Sequence, residues 1–178
     1  MILLFRVISD EDQDFFRDLV IGGSDTFLDM HTTLQKDLGY DASQLASFFI
    51  TGEMWEKQQE ITLIDMIQEP DQKALTMDEA TLEEYITHVG QRMIYVFDFF
   101  SERAFFMELI ERSDETSPRE TPFVANARGN APPQLALDLL LEEPESDPDF
   151  TDDDLDPGDY RLDDLDPDLF ETGNSDDF

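Results

Sequence analysis

The stretch Thr26–Ile50, TFLDMHTTLQKDLGYDASQLASFFI, decides the fold. Phe27, Met30, Leu34 and Leu38 recur at spacings of three or four, which places them on one face of a helix. Thr26 stands where a side-chain oxygen can cap the first turn, and Asp29 completes a capping-box pattern. Lys36 lies in the last turn, where a cation suits the helix dipole, and Gly39 is placed as the stop. The pattern then changes. LASFFITG (45–52) is short, apolar and aromatic, and reads as a strand. An amphipathic helix leading into a strand needs a sheet to cover.

The flanking sequence supplies one. ILLFRVI (2–8) and FFRDLVI (15–21) read as two strands, joined by the polar run Ser9–Asp14 into a hairpin. Gly22 and Gly23 break the second strand before the helix. Downstream, ITLIDMI (61–67) fits a turn of helix or a strand, and TLEEYITH (81–88) a short helix ending before Gly90. RMIYVFDFF (92–100) and AFFMELIE (104–111) read as strands joined by a tight turn at Ser101–Arg103. Eleven of the 15 phenylalanines precede position 107, enough apolar area for one core at about 25 cal/mol per Å² buried. The order predicts an α+β fold, a β-grasp-like mixed sheet packed on one main helix. Residues 1–112 form the core domain in this reading. Residues 113–141, rich in proline up to Gln134 and ending in LALDLLL, form an irregular arm docked on it.

Residues 142–178 read differently. Pro144, Pro148, Pro157 and Pro167 interrupt helices and sheet ladders, and the charge opposes collapse, so this segment is expected to be a disordered acidic C-terminal tail. The chain has 178 residues and a formal net charge of −33. Residues 138–178 carry 18 acidic side chains against Arg161 alone, about half of the imbalance. Such a field repels phosphates and anionic lipid surfaces and attracts basic proteins. Direct nucleic-acid binding needs a clustered basic face, and 11 scattered Lys and Arg do not form one. No run approaches the roughly 18 apolar residues that span a bilayer, and there is no cysteine, which suits a reducing compartment; the expectation is a cytoplasmic protein without membrane contact.

The tail says one phrase twice. Asp-Asp-Leu-Asp-Pro-x-x-Tyr runs from Asp153 to Tyr160, and the same phrase ending in Phe from Asp163 to Phe170. Phe150, Tyr160, Phe170 and Phe178, with Leu155 and Leu165 between them, are candidate docking residues. Acids would keep each hydrophobe exposed and steer it to a basic groove; a plain solubilising tail explains the charge but not the regular aromatics. Asp152, Asp154 and Asp156 begin an EF-hand-like spacing, but Pro157 takes the glycine place and no helices flank it. Weak, nonspecific condensation of divalent cations is the expectation there, with no specific metal and no cofactor.

Catalytic patterns are few. His31 lies on the helix beside Met30, where a boundary histidine packs its ring and hydrogen-bonds one nitrogen; His88 sits near a helix end. No G-x-S-x-G turn and no phosphate loop occurs.

Three stretches carry a resemblance. TFLDMHTTLQKDLGYDASQLASFFI resembles the Leu-x-x-Leu-His-x-x-Ile-Gln helix, Gly-Trp and strand of the plasmid pRiA4b open-reading-frame-three-like family, at Leu28, His31, Leu34, Gln35, Gly39, Tyr40 and Phe48. YVFDFFSERAFFMELIE resembles its strand pair at Phe97, Asp98 and Phe99, with Phe100, Ser101, Arg103 and Phe105 in the family's Gly, Asp, Trp and His places. TPFVANARGNAPPQ resembles its Pro-x-Cys and Ala-x-x-Pro-Pro segment at Pro122, Pro132 and Pro133, with Phe123 for the cysteine. The resemblance covers residues 2–134 and is nearest to a Bacteroides-type branch with an acidic tail. It implies a β-grasp-like fold, an association with plasmids and mobile elements, and His31, Gln35, Tyr40, Asp98 and Arg103 as candidate motif positions.

The leading reading is a non-catalytic module that docks basic protein partners. Two others stand beside it: a nucleic-acid mimic that occupies a DNA-binding protein, and an enzyme whose His31 and Asp98 share a cleft.

Overall fold

The computed structural model describes residues 1–67, 73–115, 117 and 119–135. Strands β1 (Ile2–Ser9) and β2 (Phe16–Gly22) form the expected antiparallel hairpin. Helix α1 (Phe27–Leu38) follows, then β3 (Ser47–Thr51), β4 (Lys57–Thr62), the short helix α2 (Leu82–Tyr85), β5 (Arg92–Asp98), β6 (Arg103–Ser113) and β7 (Phe123–Arg128). Among the described residues the sheet has seven strands, in the order β4-β3-β5-β6-β1-β2-β7.

The expected mixed, β-grasp-like sheet is corrected: all six strand pairs are antiparallel. The reason lies in the crossover. Helix α1 carries the chain from β2 to β3, which end four places apart in the sheet. The helix packs Phe27, at its start, on Phe48 of β3 and bonds Asp37, in its last turn, to Arg17 of β2, so it lies over the gap between these strands. The β5–β6 hairpin later fills it, placing β5 against β3 and β6 against β1. Every pairing is then antiparallel, and the helix lies over one face.

That face is the core. Alternate residues Leu3, Phe5 and Val7 of β1, Met93, Tyr95 and Phe97 of β5, and Phe105, Met107 and Leu109 of β6 are fully or almost fully buried. Helix α1 lays Phe27, Met30, His31, Leu34 and Gln35 among the buried residues. Its first turn leaves no orphan donors. The Phe27 and Leu28 N–H groups donate to the carbonyls of Ala80 and Met77. Asp29 N–H donates to Thr26 Oγ1, and Met30 N–H to the Thr26 carbonyl. Gly39 ends the helix at φ 70, where its N–H donates to Gln35 O.

Two strands escaped the sequence reading, and both are edges. Strand β4 begins at Lys57, and its pairing with β3 is complete by Ser47↔Thr62. Only the first two residues of the stretch 61–67 are therefore in a strand. The run 113–134, expected to be irregular, contains β7 paired with β2. The expectation of disorder for 142–178 lies outside the described residues. No described helix is long and apolar enough to cross a membrane.

Candidate functional site

The five motif positions fall into three groups, each joining two parts of the fold. The first is buried between α1 and β5. His31 and Gln35 stand one turn apart on α1 and converge on the Tyr95 hydroxyl of β5. His31 Nδ1 lies 2.8 Å from it, and Gln35 Nε2 donates to it at 2.6 Å. A phenol has one proton to give. Since Gln35 uses a lone pair, Tyr95 donates to His31 Nδ1, which places the imidazole proton on Nε2 by assignment from the bonding pattern. Burial pushes the His31 pKa down to about 4 and holds Tyr95 well above the usual phenol range. Both groups are thus neutral at ordinary pH, a hydrogen-bonded joint rather than an acid–base couple. His31 is 3 % exposed.

The second group fastens the residues after β7. The Tyr40 ring packs against Phe97 and Phe105, at 5.4 and 6.3 Å between centroids. Its hydroxyl donates to the Pro132 carbonyl. Burial raises the Tyr40 pKa, against the pull of Arg103. Gln134 then makes a two-way bond with Asp41, accepting from its N–H at 2.7 Å and donating to its carbonyl at 3.0 Å.

Arg17 completes this strap, and the sequence reading missed it. Its Nε donates to Asp37 at 2.6 Å, and one terminal nitrogen donates to the carbonyls of Phe16, Arg128 and Gly129. The guanidinium lies 4.6 Å over the Phe15 ring. A signal existed: in FFRDLVI, Arg17 shares the inward register of Leu19 and Ile21.

The third group builds the β5–β6 hairpin tip. Asp98 accepts from the N–H groups of Phe100 and Ser101 at 3.0 and 3.2 Å, which shapes the turn. Glu102 takes φ 54 there. Arg103 donates both arms of its fork to Glu11, at 2.8 and 2.7 Å, and approaches Asp98 at 3.9 Å. Its pKa is raised, chiefly by the bond to Glu11. This bidentate pair pins the tip to the β1–β2 turn.

His31 and Asp98 therefore do not meet. His31 engages Tyr95, whereas Asp98 stands at the last residue of β5 among turn amides and Arg103. Neither residue lines the clefts found around Thr51 and His88, between α1 and β7, at Trp55 and Phe106, or beside Glu102. His88 lies beyond α2, exposed, with Nδ1 3.2 Å from Thr87 Oγ1. Among the described residues no three His, Cys, Asp or Glu side chains are grouped to hold a metal ion. The docking candidates Phe150, Leu155, Tyr160, Leu165, Phe170 and Phe178 lie outside the described residues.

The sequence pattern of the family described as plasmid pRiA4b ORF-3-like protein matches residues 4–135, and the chain belongs to that family. A crystal structure of a protein of unknown function, MM3350 from Methanosarcina mazei Go1, is similar in fold. It is 18% identical, with a TM-score of 0.57, over 74% of this chain and 71% of that one. No curated protein matches the chain.

Proposed function

We propose that this chain is a non-catalytic protein-interaction module that reaches basic protein partners through its acidic, aromatic-bearing C-terminal segment. The observation that carries the reading is the doubled phrase Asp153–Tyr160 and Asp163–Phe170, set in 41 residues with 18 carboxylates and one arginine. The segment lies beyond the residues that match the family pattern. An acid-tailed branch of the family, of the Bacteroides type, is the proposed setting.

The physics favours repeated weak contacts. One aromatic with a neighbouring leucine buries little area, so one unit binds feebly. Several units on one chain raise the effective local concentration and give avidity with no new kind of contact. The carboxylates speed encounter with a basic surface and make it sensitive to salt. The engagement of all five motif side chains in internal joints supports a scaffold role for the domain.

Capture of partners by the full chain and by its Tyr160→Ser, Phe170→Ser variant tests the reading. The two have equal charge. Strong loss of capture with an unchanged melting temperature is expected. Equal capture by both would leave the aromatics as passengers and end the docking proposal.

A further inference from the structure

We propose that the groove between α1 and β7 binds an acidic, extended segment of a partner protein, which adds as an eighth strand on the free edge of β7. The groove, about 610 Å³, is bounded by Thr32, Thr33 and Lys36 of α1 on one side and by Arg119, Phe123 and Val124 on the other.

The first argument is the distribution of cations. Of the ten Lys and Arg in described positions, six are held by carboxylates: Arg6, Arg17, Lys73, Arg92, Arg103 and Arg128. Among the described residues Lys36, Lys57, Arg112 and Arg119 have no carboxylate partner. Two of these four share this one groove. Its own acid, Asp37, is neutralised by Arg17 at 2.6 Å. In a chain of net charge −33, a groove with two unspent positive charges is a local exception. It complements an anionic ligand.

The second argument is the edge itself. Among the described residues the sheet ends at β4 and β7. Strand β4 guards its edge with Lys57, Gln58, Gln59 and Glu60, all exposed. Strand β7 reads Phe-Val-Ala-Asn-Ala-Arg, with no charge before Arg128, and that residue is tied to Asp14. An edge without charges or prolines is open to strand addition. Phe123, under the Arg119 guanidinium at 4.4 Å, and Val124 offer half-buried apolar contacts. Backbone pairing would supply affinity, and Lys36 and Arg119 the preference for acidic side chains on one face of the strand.

The chain's overall charge opposes an acidic ligand at long range. At 0.15 M salt that field is screened beyond about 8 Å, while contacts inside the groove persist. The test is therefore made at that salt, with the isotopically labelled full chain and a blocked heptapeptide alternating Glu and Val. Saturable amide shifts along the exposed side of α1 and β7 are expected, with slower exchange of β7 amides. The Lys36→Glu, Arg119→Glu variant should bind roughly tenfold more weakly with an unchanged melting temperature, as for loss of two exposed ion pairs. The same peptide methylated at alternate backbone nitrogens keeps its charge, cannot complete the ladder, and should also lose at least tenfold. Absence of saturable binding up to about 1 mM overturns the proposal. So does equal affinity for the methylated peptide, or inorganic phosphate alone reproducing every shift, which would make the groove a simple anion site.

Discussion

Replacing His31 by Gln should make the stability of the fold less sensitive to acid. In the folded chain burial holds the His31 pKa near 4, against an ordinary value of 6.5. Above pH 6.5 neither the folded nor the unfolded chain carries a proton on His31. Between 6.5 and about 4 the unfolded chain takes one up and the folded chain does not. The folded state therefore loses stability as pH falls through this window, and the loss levels off below about 4. The full gap is worth about 3 kcal/mol, with about 1 kcal/mol lost by pH 5.5 and about 2 by pH 5. The carboxylates also take up protons in this range, and reduced self-repulsion works in the opposite direction. Subtracting the variant removes that shared background, since the substituted glutamine does not titrate and its carbonyl can still accept from Tyr95. The assay is urea unfolding of both proteins at pH 7.5, 6.5, 5.5 and 5.0, above the isoelectric point of about 4.1. The parent should lose about 2 kcal/mol relative to the variant across the series. A difference that stays flat within about 0.5 kcal/mol would mean that His31 is hydrated or already charged when folded, and the buried neutral joint would be refuted.

Tyr95→Phe keeps the ring but strands His31 Nδ1 and Gln35 Nε2 in the core, and should cost about 2–4 kcal/mol in urea unfolding. Leu34→Ala empties a fully buried position on the core face of α1 and should also cost about 2–4 kcal/mol; a loss under about 0.5 would mean that the helix face is misassigned. Gln134→Ala removes both bonds to Asp41 and should cost about 1–2 kcal/mol, with faster amide exchange at Asp41 as its specific sign.

The sequence made the centre of this fold legible and hid its margins. Helix α1 announced itself because the periodic apolar residues, the Thr26–Asp29 box and Gly39 are all local signals, and all three are present. The first hairpin and the β5–β6 pair read correctly for a similar reason: strands inside a sheet bury side chains and become apolar runs. Edge strands do not. Most of Lys-Gln-Gln-Glu-Ile-Thr faces water, so β4 shows almost no apolar pattern, and β7 hid between Pro122 and a glycine. The pairing sense was hidden too, because it depends on where the β5–β6 hairpin lands, a contact between residues far apart in the chain. At the motif, His31 was visible beside the apolar helix face, and Gln35 through the family resemblance. Their partner was not, since Tyr95 sits in RMIYVFDFF, where its hydroxyl does not stand out among apolar neighbours.

The motif positions share one physical property that the sequence could not display. Each of the three groups includes a side chain that joins elements far apart in the sequence. The His31–Gln35–Tyr95 group fixes the rotation of α1 on the sheet, because sliding the helix by one residue would break both bonds and bury three unpaired polar groups. Tyr40 and Gln134, with Arg17, fix the strap across the end of that helix. Asp98 shapes one hairpin tip, and Arg103 fixes that tip on the other through Glu11. Apolar packing alone tolerates such slips, since one buried methyl contact resembles the next; hydrogen bonds in a dry core do not. A pattern built of these residues therefore describes how one arrangement is selected from several of similar burial. On the reading proposed above, partner recognition then falls to other features, Lys36 and Arg119 of the α1–β7 groove and the acidic segment.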